Sequence, residues 1–256
     1  MKSNAKKISP GIVLSCFFGM MTLIIVQGKL HVNSPIQPDR PSVKTEISVN
    51  RLLGRFDYKK DSDFIAVEPG FCSKPMYLQK ETYKKFKEMH EAAKKDGVTL
   101  IIISGTRNFT EQKGIWDGKW SKYIASMDSL SAAKTILRFS SMPSTSRHHW
   151  GTDIDINSLD NGYFSSGKGL KEYEWLKKNA ARFGFCQVYT DKGSTQRKGY
   201  EMEKWHWSYL PIAKTYLNKY NELISYKDIK GFTGSYLAPK LRAIEDYVNG
   251  IDAACH

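Results

Sequence analysis

The stretch Ser146-Arg147-His148-His149-Trp150-Gly151-Thr152-Asp153-Ile154-Asp155 constrains this chain more than any other. From Thr152 to Asn157 it alternates, with Asp153, Asp155 and Asn157 on one side and Ile154 and Ile156 on the other. Successive side chains of a strand point to opposite faces, so the pattern predicts a short strand with one polar and one apolar face. His148 lies an odd number of residues from Asp155, and one straight strand would send them to opposite faces. Gly151 lets the chain turn between them, which puts His148 on a loop and Asp155 on the strand. Further on stands Glu203-Lys204-Trp205-His206, with the same parity conflict between Glu203 and His206. Trp205-His206-Trp207-Ser208-Tyr209 favours a strand. Glu203 must therefore occupy a bend or loop if both are to address one point.

Together the two stretches offer two imidazoles, a carboxylate and a spare glutamate. A catalytic zinc site uses that inventory: three ligands from His and Asp/Glu, a fourth position for water, and a nearby carboxylate off the metal. Alone, a histidine such as His148 or His206 reads as a hydrogen-bonded core residue. His31 and His256 lie near the termini and His90 falls on a helix, so none of them is expected to bind metal. His149 adjoins His148, and a supporting or substrate-facing role suits it better than ligation.

The motif Ser146-x-His148-x-x-Gly151-x-x-x-Asp155 followed by Glu203-x-Trp205-His206 resembles the zinc D-alanyl-D-alanine carboxypeptidases and dipeptidases of the VanY type. Their pattern is Ser-x-His-x-x-Gly-x-Ala-x-Asp, then Glu-x-Trp-His. Ser104-Gly105-Thr106-Arg107 is similar to a third family block, Ser-Gly-Tyr-Arg, and the resemblance covers roughly residues 70 to 210. It implies that His148, Asp155 and His206 bind zinc, that Glu203 is the general base, and that Arg107 stabilises substrate or oxyanion. It implies that Ser146 sits beside the substrate. Thr106 stands where the family has Tyr, and Asp153 where it has Ala. Asp153 thus adds a second acid beside Asp155, and Asp155 is the expected ligand because its spacing from His148 fits the pattern.

The function so implied is hydrolysis of the terminal D-alanine of peptidoglycan stem peptides. An L,D-carboxypeptidase or a murein endopeptidase could use the same scaffold. A wall-binding module that keeps zinc without catalysis is the alternative from another class, but binding alone needs neither Glu203 nor Arg107.

Hydrophobic content of 41% and charged content of 25% are those of a globular protein. The formal net charge of +13 reads first as an ordinary solvated basic surface, and more specifically as attraction to an anionic polymer or membrane surface. Lysines are scattered among acids, as in Lys84-Lys85-Phe86-Lys87-Glu88, with no basic stripe interleaved with aromatics, so a nucleic-acid partner is not expected. Lys2, Lys6 and Lys7 precede an apolar run from about Gly11 to Val26, the pattern of an export signal. Residues 1–28 are therefore read as a cleaved signal peptide or an uncleaved membrane anchor, and the protein as exported to the cell envelope. Any membrane contact would come through that segment. Cys72, Cys186 and Cys255 would remain, enough for one disulfide and one odd thiol, with the pairing open.

Residues 29–50, with Pro35, Pro38 and Pro41, read as a linker, and 51–256 as a single zinc peptidase domain. Leu78, Tyr83, Phe86, Met89 and Ala93 predict a helix ended by Gly97. Val98 to Ile103 predicts a strand that delivers Ser104–Arg107. Residues 109–140 read as helical pieces broken at Asp117-Gly118, and Leu170 to Phe183 as a helix closed by Gly184. Phe185 to Tyr189 predicts a further strand. A helix from Pro211 to Leu223 and another around Ala238 to Val248 form a C-terminal extension. The expected class is α+β, a small antiparallel sheet carrying the zinc site and packed against helices.

Overall fold

The computed structural model describes residues 46–256; the expected leader and most of the expected linker lie outside them. Strands β1 (Phe64–Ala66) and β2 (Tyr77–Gln79) pair antiparallel as a small sheet. Strands β3 (Ile102–Ser104), β4 (Asp153–Ile156), β5 (Phe185–Gln187) and β6 (His206–Tyr209) form a second, antiparallel throughout, in the order β3-β4-β6-β5. The α-helices are α1 (Val49–Leu52), α2 (Lys80–Lys95), α3 (Phe109–Ile124), α4 (Ser129–Ile136), α5 (Gly167–Asn179), α6 (Lys192–Thr195) and α7 (Leu210–Leu223). This is the expected α+β class.

The alternation of β4 decides how the layers stack. Ile154 and Ile156 point into a core with Ile102, Trp207 and Tyr209. Tyr83, Phe86, Met89 and Ala93 of α2 and Trp175 and Leu176 of α5 complete it. Full burial of one such aliphatic or aromatic side chain is worth about 1.5–3 kcal/mol, so this face holds the sheet to its helices. A second core gathers Trp116 and Trp120 of α3, Ile136 of α4, Trp150, and Tyr216 and Tyr220 of α7.

Several local expectations shift. β3 begins later than Val98, because Val98 N–H bonds back to Ala93 O around Gly97, whose φ is 72°. The register between β3 and β4 also slips between Ile102 and Ser104, a bulge that re-aims the strand end. Helix α3 runs through Asp117-Gly118. A reciprocal cap between Asn108 and Glu111 starts it, Lys113 pairs with Asp117, and Gln112, Trp116 and Trp120 bury one stripe while Gly118 stays exposed. The break comes later, where the Asp128 carboxylate accepts from Leu130 N–H and Ser131 N–H and starts α4. The helix expected around Ala238–Val248 is a shorter, wider-wound turn, Ala243–Val248, entered through Arg242 at φ 52°. The end of the expected linker is folded: Ser48 caps α1 and Ile47 packs on the second core.

Cys186 of β5 is disulfide-bonded to Cys255, and Cys72 is the free cysteine among the described residues. No helix among the described residues is long and apolar enough to cross a membrane.

Candidate active site

The polar face of the sheet is built by register. Asp155 pairs with Ser104 on one side and His206 on the other, and Asp153 stands opposite Ser208. His148 arrives from the tight turn Arg147–Trp150, which closes on Gly151 at φ 71°. A Cβ at Gly151 would lie 2.3 Å from the Phe64 ring, so this turn needs glycine twice over. The neighbouring sheet pins the turn: Gln79 N–H donates to Gly151 O at 3.0 Å and the Gln79 amide to Trp150 O at 2.6 Å. Glu203 lies on the loop before β6, its N–H bonded to Tyr189 O and its carbonyl accepting from the Gln187 amide. Both parity conflicts are thus resolved by turns outside the strands.

His148, Asp155 and His206 each present one donor atom, all within 4.8 Å of one another, and could hold one metal ion. His148 Nε2 is 3.3 Å from Asp155 Oδ2, and His206 Nδ1 is 3.1 Å from Asp155 Oδ1. Glu203 Oε2 lies 3.6 Å from His206 Nδ1. The remaining nitrogen of each ring is engaged. His148 Nδ1–H donates to Gly105 O at 2.8 Å, and His206 Nε2–H to Asp153 Oδ1 at 3.0 Å. That leaves His148 Nε2 and His206 Nδ1 facing the centre, the arrangement a metal site requires of its imidazoles.

Arg107 stands over the cluster. Its Nη1 is 3.7 Å from Asp155 Oδ2 and bonds Ser104 Oγ, while its Nε donates to Gln112 Oε1 at 3.0 Å. These groups open on a cavity of about 410 Å³, also lined by Lys119, Tyr189, Tyr200 and Trp205. Sequence reading missed Gln112 and Lys119. The signal for Gln112 was the Asn108-x-x-Glu111 cap, which starts α3 just after Arg107 and brings Gln112 back toward it.

The electrostatics favour positive charge at the centre. Burial opposes charge on His206, but Asp153 and Asp155 outweigh it and raise the imidazole to about 9. Burial likewise opposes ionisation of Asp155, yet His148 and His206 hold its carboxyl well below the ordinary carboxylate range. Burial, with Asp155 adding repulsion, pushes Glu203 up to about 8 against the pull of His206 and Arg107. A divalent cation would take the place of the proton at His206 Nδ1 and relieve the crowding of Asp155 and Glu203.

Ser146, Arg147 and His149 flank His148 around the same turn. Ser146 is buried, its hydroxyl has no partner among the described residues, and it is absent from the cavity lining. It begins the turn that carries His148. The Arg147 guanidinium is buried, with Nε on Asp153 Oδ1 at 3.0 Å and Nη2 on Ser208 Oγ at 2.8 Å. His149 is also buried. Its Nδ1–H donates to Arg107 O at 2.7 Å, its Nε2 accepts from Ser144 N–H at 3.1 Å, and burial drives its pKa down to about 3. It is a neutral brace for the Arg107 backbone.

The profile of the VanY family, described as D-alanyl-D-alanine carboxypeptidase, matches residues 75–212, more than half of the chain. The chain belongs to the VanY family. It is 36% identical to a D-alanyl-D-alanine carboxypeptidase of Enterococcus faecalis over 49% of this chain and 45% of that protein. It is 32% identical to the Bacillus subtilis protein YodJ over 52% of this chain and 46% of that protein. It therefore spans about half the length of these relatives. A crystal structure of a vancomycin-resistance D,D-pentapeptidase VanY variant in complex with Zn(II) aligns at 28% identity, covering 65% of this chain and 88% of that one, with a TM-score of 0.48.

The two departures from the VanY pattern have distinct settings. Thr106 is buried and its hydroxyl donates to Tyr77 O at 2.6 Å, tying the Arg107 loop to β2. Asp153 stands behind His206, outside the three-donor group.

Proposed function

We propose that this protein is a zinc-dependent D,D-carboxypeptidase that releases the terminal D-alanine of peptidoglycan stem peptides in the cell envelope. Membership of the VanY family supports the reaction class. The observation that carries the reading is the convergence of His148, Asp155 and His206 on one point, with Glu203 beside it at the cavity floor. Two imidazoles and one carboxylate fit zinc, whose catalytic sites take three such ligands and keep a position open. Zinc held there would supply Lewis acidity, activating water and polarising the scissile carbonyl.

The chain's own groups then have separate tasks. Glu203 accepts a proton from water and returns it to the leaving amine. With no cation beside it, burial raises its carboxyl to about 8, and a bound cation would favour the carboxylate that a general base needs. Arg107, aimed by Gln112, offers donors to the negative charge that grows on the carbonyl oxygen. An exopeptidase must also hold a free terminal carboxylate, and a buried anion needs charge-assisted hydrogen bonds. The cavity is lined by the cations Lys74, Arg107, Lys119 and Arg147, and we assign that task to Arg107 and Lys119, since Arg147 is bonded to Asp153 and Ser208. Export is supported by Lys2, Lys6 and Lys7 ahead of the apolar run, through a cleaved signal peptide or an anchor.

The test is incubation with defined stem peptides, with and without chelator, read by mass spectrometry. Release of one D-alanine from a free pentapeptide, abolished by chelation and by amidation of the terminus, is the expected result. Equal cleavage of free and amidated peptide would make the protein an endopeptidase. Activity on tetrapeptides alone would make it an L,D-carboxypeptidase.

A further inference from the structure

We infer that Asp153 is a positioning residue that fixes which nitrogen of His206 faces the metal site. The inference rests on the zinc reading above. His148 and His206 meet the site by opposite nitrogens, and each needs a reason to do so. For His148 the reason is a backbone carbonyl: Nδ1–H donates to Gly105 O, so Nε2 faces Asp155. For His206 the corresponding acceptor is a side chain. Asp153 Oδ1 accepts from Nε2–H at 3.0 Å, which leaves Nδ1 toward Asp155 and Glu203. An alanine at 153 offers no acceptor there. Without that acceptor the proton could sit on Nδ1 instead, and a ring turned over by half a revolution would bring Cδ2 to the site in place of Nδ1 at little cost.

Asp153 is itself held in place. Oδ1 also accepts from Arg147 Nε at 3.0 Å, and Oδ2 accepts from Thr152 Oγ1 at 2.6 Å and Ser208 Oγ at 3.1 Å. Arg147 reaches Ser208 as well, so the three side chains close a ring of hydrogen bonds. All of them are buried. A lone buried carboxylate so close to Asp155 would be costly and would compete for the cation. Arg147 neutralises it, and the fixed geometry keeps it behind the ring. A bare Arg147–Asp153 pair would also explain two buried charges, but not why the same oxygen is shared with His206.

The first measurement needs no variant. Long-range proton–nitrogen NMR of the zinc-loaded protein should show His206 protonated at Nε2 and His148 at Nδ1; a His206 protonated at Nδ1 overturns the inference. The second is zinc affinity by chelator competition. Asp153→Ala should bind zinc about 10- to 100-fold more weakly, the usual loss for such a partner. Asp153→Asn keeps an oxygen at the same place and should recover part of that loss. A role in stability alone would lower the melting temperature of both variants and leave the zinc affinity of the folded protein unchanged, which also overturns it. If the parent binds no zinc, the proposed function falls and this inference with it. If the parent binds and Asp153→Ala binds equally well, only the inference falls.

Discussion

The two faces of strand β4 are one residue apart and do opposite work. Ile154 and Ile156 vanish into the core shared with α2 and α5, where shape and volume matter. Asp153 and Asp155 face a layer of imidazole, guanidinium and hydroxyl groups, where hydrogen-bond direction and charge matter. The pleat of a strand separates the two without any additional structure. Stability and chemistry can therefore be damaged independently, although no atom of one face is far from the other.

The largest effect that tests this division is expected from Asp155→Ala. It should lose bound zinc, read by metal analysis, and all measurable turnover; His148→Ala and His206→Ala should do the same. Full zinc in all three variants would remove them as ligands. Next is Glu203→Gln, which keeps size but cannot accept the water proton. Turnover should fall by about 10²- to 10⁴-fold with zinc retained, and loss of metal instead would make Glu203 a ligand. On the other face, Ile156→Ala should cost about 2–5 kcal/mol in denaturant unfolding. Turnover per folded molecule and zinc content should stay near the parent's; a collapse of zinc affinity there would show that the faces are coupled. The smallest change is Arg107→Lys. It keeps charge but loses the planar fork that bonds Ser104 and Gln112 together, so kcat/KM should drop by about tenfold with zinc intact. Unchanged kinetics would take Arg107 out of the reaction.

The donor set was legible because its spacing is local and its conflicts are of parity. The odd steps from His148 to Asp155 and from Glu203 to His206 demand turns, and Gly151 and the Glu203 loop supply them. What lay beyond one element was harder. Whether Ser146 or Arg147 faces a ligand depends on which way a short turn is rolled, and that is set by Gln79 from another sheet. Asp117-Gly118 reads as a break until the buried Trp116 and Trp120 and the pair Lys113–Asp117 are weighed against one exposed glycine. The pairing of Cys186 with Cys255 rests on a contact across 69 residues, which no local pattern encodes. The role of Asp153 needed the ring it touches.

The three strands that meet at Asp155 come from distant parts of the chain. His206 is 51 residues beyond Asp155, and Ser104 precedes it by a similar stretch. Such long-range pairings carry a large closure entropy and form cooperatively with the sheet. Ser104 and His206 reach Asp155 only when these distant segments have come together in the sheet. Metal capture by all three donors at once would favour the folded state. At a free zinc concentration of 100 times its Kd, that capture would add about 2.7 kcal/mol to folding. Zinc would act as a latch that holds the sheet shut once it has closed.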